Sequence, residues 1–365
     1  MEHIIIYREP GRYAGWPANY GIWHWNNEIV VGFTVGYHNA NGGFHARDKS
    51  RPFRNIQARS LDGGLSWSLE DFAGKTPGQR GLSADEHMHF ELGIGQALEQ
   101  NDITMPVSEA IRFKHPDFAL MCARTGLDER ARSLFYVSYD RCKTWQGPFK
   151  FPMFGQTAIA ARTDYLVEND HSCLFFLTAN KANGTEGKVI CVLTQDGGKS
   201  FTLVSEIGGE PKEPLDFKIM PSSLKLANGR LVTALRCRQK DEKGNNRNWI
   251  DLYTSDDTAQ SWTYLKRPVQ FEGHNGNPGA LCQLADERLL LVYGNRDNRT
   301  MAARLSDDNG QTWQDEHCIR ENRGGNHDIG YPRAVVLADG TVVVVYYFND
   351  AAHGERFIEA SRWTP

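Results

Sequence analysis

The sequence predicts an all-β chain folded as a six-bladed β-propeller, on three observations. One turn motif recurs five times at fixed internal spacing, six pairs of apolar strands alternate with it, and an orphan strand stands at the N-terminus. A length of 365 residues exceeds what one compact core usually holds, but it suits a propeller, in which each blade adds its own slab of sheet around a central channel. The expectation is one repeating domain over residues 1–365.

The motif is Ser/Thr-x-Asp-x-Gly-x-x-Trp/Phe. Its copies run from Ser60 to Trp67, Ser138 to Trp145, Thr194 to Phe201, Ser255 to Trp262 and Ser306 to Trp313. The Asp carboxylate can accept backbone N–H bonds inside a tight hairpin, Gly supplies a positive φ, and the aromatic ring packs between neighbouring blades. The repeated Asp residues therefore read as structural, despite their number.

Each copy follows a strand and marks the turn between the third and fourth strands of a blade, so the segments between copies must hold a hairpin each. Those hairpins read GIWHWNNEIVVGFT, GIGQALEQNDITMPV, TDYLVENDHSCLFFLTA, PSSLKLANGRLVTALRCR, PGALCQLADERLLLVYGNR and YPRAVVLADGTVVVVYYF, with Asn228-Gly229 and Asp339-Gly340 as turns. Six hairpins face five motif copies. The last blade lacks a fourth strand, and HIIIY at the N-terminus supplies it, which removes the exposed edges of an open ring.

Composition excludes several functions. A net charge of −4 with scattered Lys and Arg gives no electrostatic footprint for nucleic acid or an anionic membrane. No run approaches the roughly 18 apolar residues of a spanning helix, and the start MEHIIIYREP lacks a leader pattern. The seven cysteines stand singly, with no CxxC pair, which argues against a disulfide framework or a zinc site and for a reducing compartment. The expectation is a cytoplasmic chain, or a periplasmic or secreted one if an export signal precedes it, with no cofactor and no bound metal. Oligomeric state is not legible.

Geometry divides the loops. The motif turns and the turns between strands 1 and 2 share one face, so the 4-to-1 connections and the 2-to-3 loops share the other. Most of the long polar loops belong to that second face, and its channel mouth is the expected site.

The five motif copies resemble the Asp-box of sialidase-like (neuraminidase) propellers, over nearly the whole chain, with divergent bacterial members the nearest in kind. The resemblance implies an exo-glycosidase that removes a terminal sialic acid or related ulosonic acid with retention. In that family three arginines grip the sugar carboxylate, a tyrosine is the nucleophile and an Asp on a first-blade loop is the acid/base. Gly330-Tyr331-Pro332-Arg333, ahead of AVVLADGTVVVVYYF, is similar to the motif that carries the nucleophile, so Tyr331 is its candidate. A channel-lining aromatic is the bland alternative.

Asp48 is the only acid in the loop YHNANGGFHARDKSRPF and is similar in position to the family's acid/base, with His38 and His45 beside it as substitutes. The first arginine of the family is missing, since Gly15-Trp16-Pro17 stands where Arg-Ile-Pro is expected. Arg8 or Arg12 just upstream is the replacement, Arg238 or its neighbour Arg236 the second arginine, Arg296 the third, and Arg333 an addition. His87, Asn277 and Trp16 join them as substrate-binding candidates. FKIMPSSL lacks the family's tyrosine-activating glutamate, which leaves Asp216, Asp251 or Asp328 for that role. His87 and His89 lie two apart with no further ligands at useful spacing, so they do not make a metal site.

The expected partner is an acidic carbohydrate, a sialoglycan or related glycan. Two rivals stay open: a polysaccharide lyase acting on a uronate, with Tyr331 and His87 or His327 moving the proton, and a carbohydrate-binding propeller without turnover.

Overall fold

The computed structural model describes residues 1–51, 53–74, 105–127, 129, 131–273 and 275–365. Strand β1 (Glu2–Tyr7) stands apart, and the strands after it form the blades in chain order. Blade 1 holds β2 (Arg12–Gly15), the single turn α1 (Pro17–Tyr20), β3 (Gly21–Trp25), β4 (Glu28–Tyr37), β5 (Arg54–Ser60) and β6 (Ser68–Asp71), with β2 and β3 both paired to β4. Blade 2 holds β7 (Ala119–Arg124), β8 (Ser133–Ser138) and β9 (Gln146–Lys150). Blade 3 is β10 (Tyr165–Val167), β11 (Cys173–Asn180), β12 (Glu186–Thr194) and β13 (Thr202–Ile207). Blade 4 is β14 (Phe217–Lys225), β15 (Leu231–Lys240), β16 (Asn246–Ser255) and β17 (Thr263–Phe271). Blade 5 is β18 (Ala280–Gln283), β19 (Leu289–Asn295), β20 (Thr300–Ser306) and β21 (His317–Arg320). Blade 6 is β22 (Gly330–Val336), β23 (Val342–Asn349) and β24 (Arg356–Trp363), completed by β1.

Closure occurs as the sequence predicts. β1 runs antiparallel to β24, from Glu2 opposite Arg362 to Tyr7 opposite Ile358. Blade 2 differs from its predicted layout. The strand beside β8 is β7, not the end of the expected GIGQALEQNDITMPV hairpin, whose Met105 instead makes an isolated parallel bridge to Phe149 on the other side of the blade. The rest of that hairpin, before Met105, lies outside the described residues. ALMCAR was passed over because a short, fully buried run shows no period-2 alternation to separate it from its surroundings.

Alternation along each strand supplies the packing between blades. On β23, Val343, Val345 and Tyr347 face blade 1, while Val342, Val344, Tyr346 and Phe348 face blade 5. Six buried clusters arise in this way, one at each junction of neighbouring blades around the ring. Ile6 and Tyr7 of β1 belong to the cluster that joins blade 6 to blade 1.

The five motif turns share one bonding scheme. In the first, the Gly64 N–H donates to Ser60 Oγ at 2.8 Å, the Ser66 N–H to Asp62 Oδ1 at 2.9 Å and the Ser66 hydroxyl to Asp62 Oδ2 at 2.5 Å. Those bonds, the Ser66 hydroxyl first, hold the Asp62 carboxyl down at about 2. Two turns keep the shape without glycine: Arg141 and Cys142 have φ of 58° and 64°, and Thr258 and Ala259 of 56° and 66°. The aromatic residue closes the blade junction, as where Phe201 packs on Phe135 and Phe151 of blade 2, with ring centres 5.8 and 5.4 Å away.

Two stability outcomes follow. Ile6 is 7% exposed within the closing junction and Ile5 on the same strand is 52% exposed. Ile6→Ala should lower the unfolding free energy by about 2–5 kcal/mol and Ile5→Ala by no more than about 0.5 kcal/mol, both read by urea denaturation. Equal effects would mean that β1 does not bury one face in the ring. At Thr258 a left-handed β-branched residue costs about 1–2 kcal/mol against about 0.5–1 kcal/mol for the added freedom of glycine. Thr258→Gly should therefore raise the urea midpoint slightly, and a fall would show that the threonine side chain holds the turn.

Candidate active site

The site forms where inner strands of the ring begin. In blades 1, 4 and 6 the residue at that place precedes a proline: Trp16-Pro17, Met220-Pro221 and Tyr331-Pro332. Proline brings no N–H to a strand ladder, and pairing breaks there. β14 shifts register on β15 between Ile219 and Ser222, and β22 on β23 between Gly330 and Arg333. Each residue before the proline is left-handed, with φ of 61° at Trp16, 54° at Met220 and 52° at Tyr331. Such a bulge re-aims a side chain. Tyr331 consequently packs across the channel against Ala18, Phe217, Ile219 and Met220, and below it the channel narrows to a void of about 10 Å³ lined by Arg162, Met220 and Pro332.

A left-handed non-glycine residue costs about 1–3 kcal/mol and persists where its surroundings fix it. At Tyr331 the fixing group is Asn277, fully buried, whose Oδ1 accepts the Tyr331 N–H at 2.7 Å while its Nδ2 donates to the Ile329 carbonyl at 3.1 Å. Gly330, with φ of 109°, lies so close that a Cβ there would sit 2.1 Å from Asn277 Oδ1. Only glycine fits. Asn277 thus acts on the tyrosine backbone rather than facing the mouth.

The Tyr331 ring is partly exposed. Its hydroxyl accepts a bond from Arg236 Nη1 at 3.1 Å, and the guanidinium carbons of Arg236 and Arg296 lie 5.9 and 5.7 Å from the ring centre. Burial pushes the phenol pKa up, but the charges of Arg236, Arg296 and Arg162 outweigh it and bring it below the ordinary tyrosine value. Arg162 stands just ahead of β10, where its Nη1 donates to Glu186 Oε1 at 2.5 Å. Among the described residues the buried Nε groups of Arg162 and Arg236 find no hydrogen-bond partner. Arg236 and Arg296 thus flank the Tyr331 ring, and Arg162 adds its charge to theirs.

Behind them stands Asp328, wholly buried. It accepts bonds from Tyr347 Oη at 2.5 Å, His45 Nδ1 at 2.8 Å and Arg356 Nε at 2.8 Å, with Arg296 Nη2 at 3.7 Å. Burial opposes its charge, but His45, Arg356 and Arg296 hold it far below the usual carboxylate range. Arg296 Nη2 also donates to Tyr347 Oη at 2.8 Å, so one guanidinium ties this buried carboxylate network to the Tyr331 ring. Among the described residues no carboxylate bonds the Tyr331 hydroxyl.

Several predicted residues are held elsewhere. Arg8 pairs with Asp350 at 2.6 Å and lies over the Phe357 ring, and Arg12 stacks on Tyr37 at 4.1 Å, so neither replaces the first arginine. Arg162, just ahead of blade 3, is instead the further arginine whose charge acts on Tyr331. Asp48 turns onto Ser50, accepting from its N–H at 3.0 Å and its hydroxyl at 2.6 Å. Asp216 accepts the Lys240 N–H at 2.8 Å and braces a loop. Asp251 is bound by Trp249 Nε1 and Arg267. Asp328 serves Tyr347 and His45 rather than Tyr331. Arg238 donates to the Leu215 carbonyl and stacks on Phe217 at 4.3 Å, while Arg236, two residues earlier on the same face of β15, is the one that reaches the phenol.

Arg333, two residues past Tyr331, lines a cavity of about 340 Å³ deeper along the channel and donates to the Ala18 and Thr163 carbonyls. Trp16 is buried, its ring under the Arg47 guanidinium at 4.8 Å and edge-on to His45 at 5.3 Å. His87 lies outside the described residues. Among the described residues no group of three or more His, Cys, Asp or Glu side chains could hold a metal ion, and no helix is long and apolar enough to cross a membrane. Reading strand ends alone missed Arg162 and Glu186. The signal was the position of Arg162, one residue past the buried run Ala158–Ala161, where an inner strand is about to start.

Comparison with known proteins agrees with this architecture. The BNR repeat-like domain family matches residues 188–344. A crystal structure of a protein of unknown function from Dyadobacter fermentans superposes with a TM-score of 0.68 at 19% identity, covering 99% of this chain and 97% of that one. An α-L-arabinanase from Penicillium chrysogenum, solved with arabinobiose, gives 0.65 at 13% identity over 100% and 98% of the two chains. A Hadza microbial sialidase gives 0.64 at 13% identity over 96% of this chain and 66% of its own. No curated protein sequence matches the chain.

The guanidiniums set the phenol's titration, with a definite sign. Removing a positive neighbour removes what favours the phenolate, so the Tyr331 pKa must rise. In the tyrosinate absorbance difference between wild type and Tyr331→Phe, one phenol should ionise below the ordinary value of about 10, and Arg236→Met should shift that step to higher pH. A difference curve with no step below that value would contradict the arrangement.

Proposed function

We propose that this chain, a sialidase-like propeller of the BNR-repeat type, is a glycoside hydrolase that releases a terminal acidic sugar, sialic acid or a related ulosonic acid, with retention at the anomeric carbon. The observation that carries the reading is the half-buried Tyr331, whose hydroxyl accepts from Arg236, whose ring lies beside Arg296 and whose phenol feels the charge of Arg162. Planar guanidiniums match a carboxylate in two-point contact. A sugar whose anomeric carbon bears that carboxylate repels an ionised acid nucleophile, whereas a phenol held toward its anion by the same arginines approaches with less repulsion. Tyr331 is the nucleophile in this reading: its oxygen bonds to the anomeric carbon as the bond to the leaving oxygen breaks, and water later reverses the exchange.

Both sialidases and arabinan-cleaving enzymes share the fold. The arginine cluster favours an acidic substrate over neutral arabinan. One feature speaks for the rival lyase, namely that no carboxylate among the described residues bonds the tyrosine hydroxyl as an activating base. A lyase would use Tyr331 to move a proton beside a uronate carboxylate.

The test is incubation with aryl glycosides of sialic acid, its deaminated analogue and uronic acids, with proton NMR following the first anomer released. Retention on an acidic sugar supports the proposal. A product that gains ultraviolet absorbance from a new double bond supports the lyase, and binding without turnover supports a lectin-like role. In the hydrolase, Tyr331→Phe should lower kcat/KM at least ~100-fold, and near-normal activity would remove Tyr331 from the chemistry.

A further inference from the structure

A retaining hydrolase needs a second group that protonates the leaving oxygen and later takes a proton from water. Asp48, the acid of the first-blade loop, is folded back onto Ser50. The same loop carries His45. Its Nδ1 meets Asp328 Oδ1 at 2.8 Å, and since that carboxylate is ionised and wholly buried, Nδ1 is the nitrogen that donates. This fixes the tautomer and leaves Nε2 as the free nitrogen. The His45 side chain keeps 24% of its surface exposed while Asp328 keeps none, so the open edge of the ring is the one away from Asp328. Among the described residues nothing bonds Nε2.

The ring is wedged edge-on between Trp16 and Phe44, at 5.3 and 5.1 Å, and Phe44 in turn covers the Arg296 guanidinium at 5.3 Å. Arg296 is the cation that also faces Tyr331. A loop histidine is thus brought to the arginine cluster with its orientation set by a carboxylate that has no solvent contact.

Resting on the hydrolase reading, we propose that His45 is the acid/base of this site, with Asp328 as its positioning residue. In the first step Tyr331, as its phenolate, bonds to the anomeric carbon, the electron pair of the breaking bond goes to the leaving oxygen, and His45, in its imidazolium form with Nδ1–H held on Asp328, gives that oxygen the proton on Nε2. In the second, Nε2 takes a proton from the attacking water, and the electron pair of the sugar–tyrosine bond returns to the phenol oxygen. Both steps balance without a further reagent.

The experiment compares two variants on two acidic glycosides, one with an alkyl leaving group and one with a strongly acidic phenol. His45→Asn keeps a donor toward Asp328 and lacks Nε2, and His45→Ala removes both. Both variants should lose at least ~100-fold in kcat/KM on the alkyl glycoside, while the acidic phenol, which leaves without protonation, should lose less than ~5-fold. Azide should restore turnover and yield a glycosyl azide. If His45 only anchors its loop, His45→Asn will act like wild type or both substrates will fall together, and the inference is overturned. A wild-type chain inert toward every acidic glycoside would overturn the hydrolase reading and this proposal with it, whereas an active wild type with unaffected variants would overturn this proposal alone.

Discussion

A propeller strand is covered on both faces only if the blade has a neighbour on each side, and for the last blade that neighbour is the first. The contact between β1 and β24 therefore conditions the rest of the molecule. Without it, Tyr347, Val343 and Val345 would face water across the junction that also buries Tyr13, Phe33 and Trp16. The same junction orders the candidate site, because Tyr347 and Asp328 belong to blade 6 while His45 and Trp16 belong to blade 1. Ring closure and the geometry of the mouth are one constraint seen from two sides.

Within the closed ring, the inner strands supply the chemistry through a local fault repeated around the axis. At three prolines on the inner strands the residue before is held left-handed: Trp16 just after β2 in blade 1, Met220 within β14 in blade 4 and Tyr331 at the start of β22 in blade 6. Identical backbone geometry carries different side chains: an indole that supports His45 and Arg47, a thioether 3.8 Å from Arg236 Nη1, and the phenol itself. Symmetry sets the positions, and the substitutions among them break it into a site.

Much of this was legible in the sequence, because motif turns and hairpins are local and periodic. Five turns, the later inner hairpins and the closing strand all follow from spacing and alternation, whereas Tyr331 is singled out by resemblance to the family's motif. Residues chosen by proximity in sequence fared differently. Arg8 and Arg12 lie just upstream of the expected arginine, yet Arg8 is paired with Asp350 and Arg12 is stacked on Tyr37. A charge that does act on the phenol comes from Arg162, far along the chain, since a propeller brings blade ends together whatever their separation. Asp328 was read as a base for tyrosine, and only its burial beside Arg356, Arg296 and His45 shows a carboxylate fully engaged in orienting others. Blade 2 misled because its strand ALMCAR carries neither alternation nor a turn signal of its own.

The two tyrosines at the mouth show how neighbouring groups of one chemical type come to differ. Tyr331 and Tyr347 have ring centres 5.9 Å apart and share Arg296. Burial raises the pKa of Tyr347, and although Arg296 opposes it, the adjacent carboxylate of Asp328 adds to the rise and keeps Tyr347 a neutral donor. Among the described residues no carboxylate bonds Tyr331, and its guanidiniums outweigh both its burial and the more distant Glu186. Opposite shifts in like groups separate their roles, one phenol fixed as scaffold and one biased toward its anion. That bias has a charge origin. The anions nearest the arginines are Glu186 on Arg162 and Asp328 beneath Arg296, while among the described residues Arg236 meets the phenol, a sulfur atom and the Phe217 ring but no carboxylate. A buried guanidinium so poorly matched is destabilising on its own, and an anionic group entering the mouth would relieve it. The acidic ligand proposed above would supply the carboxylate that these guanidiniums lack.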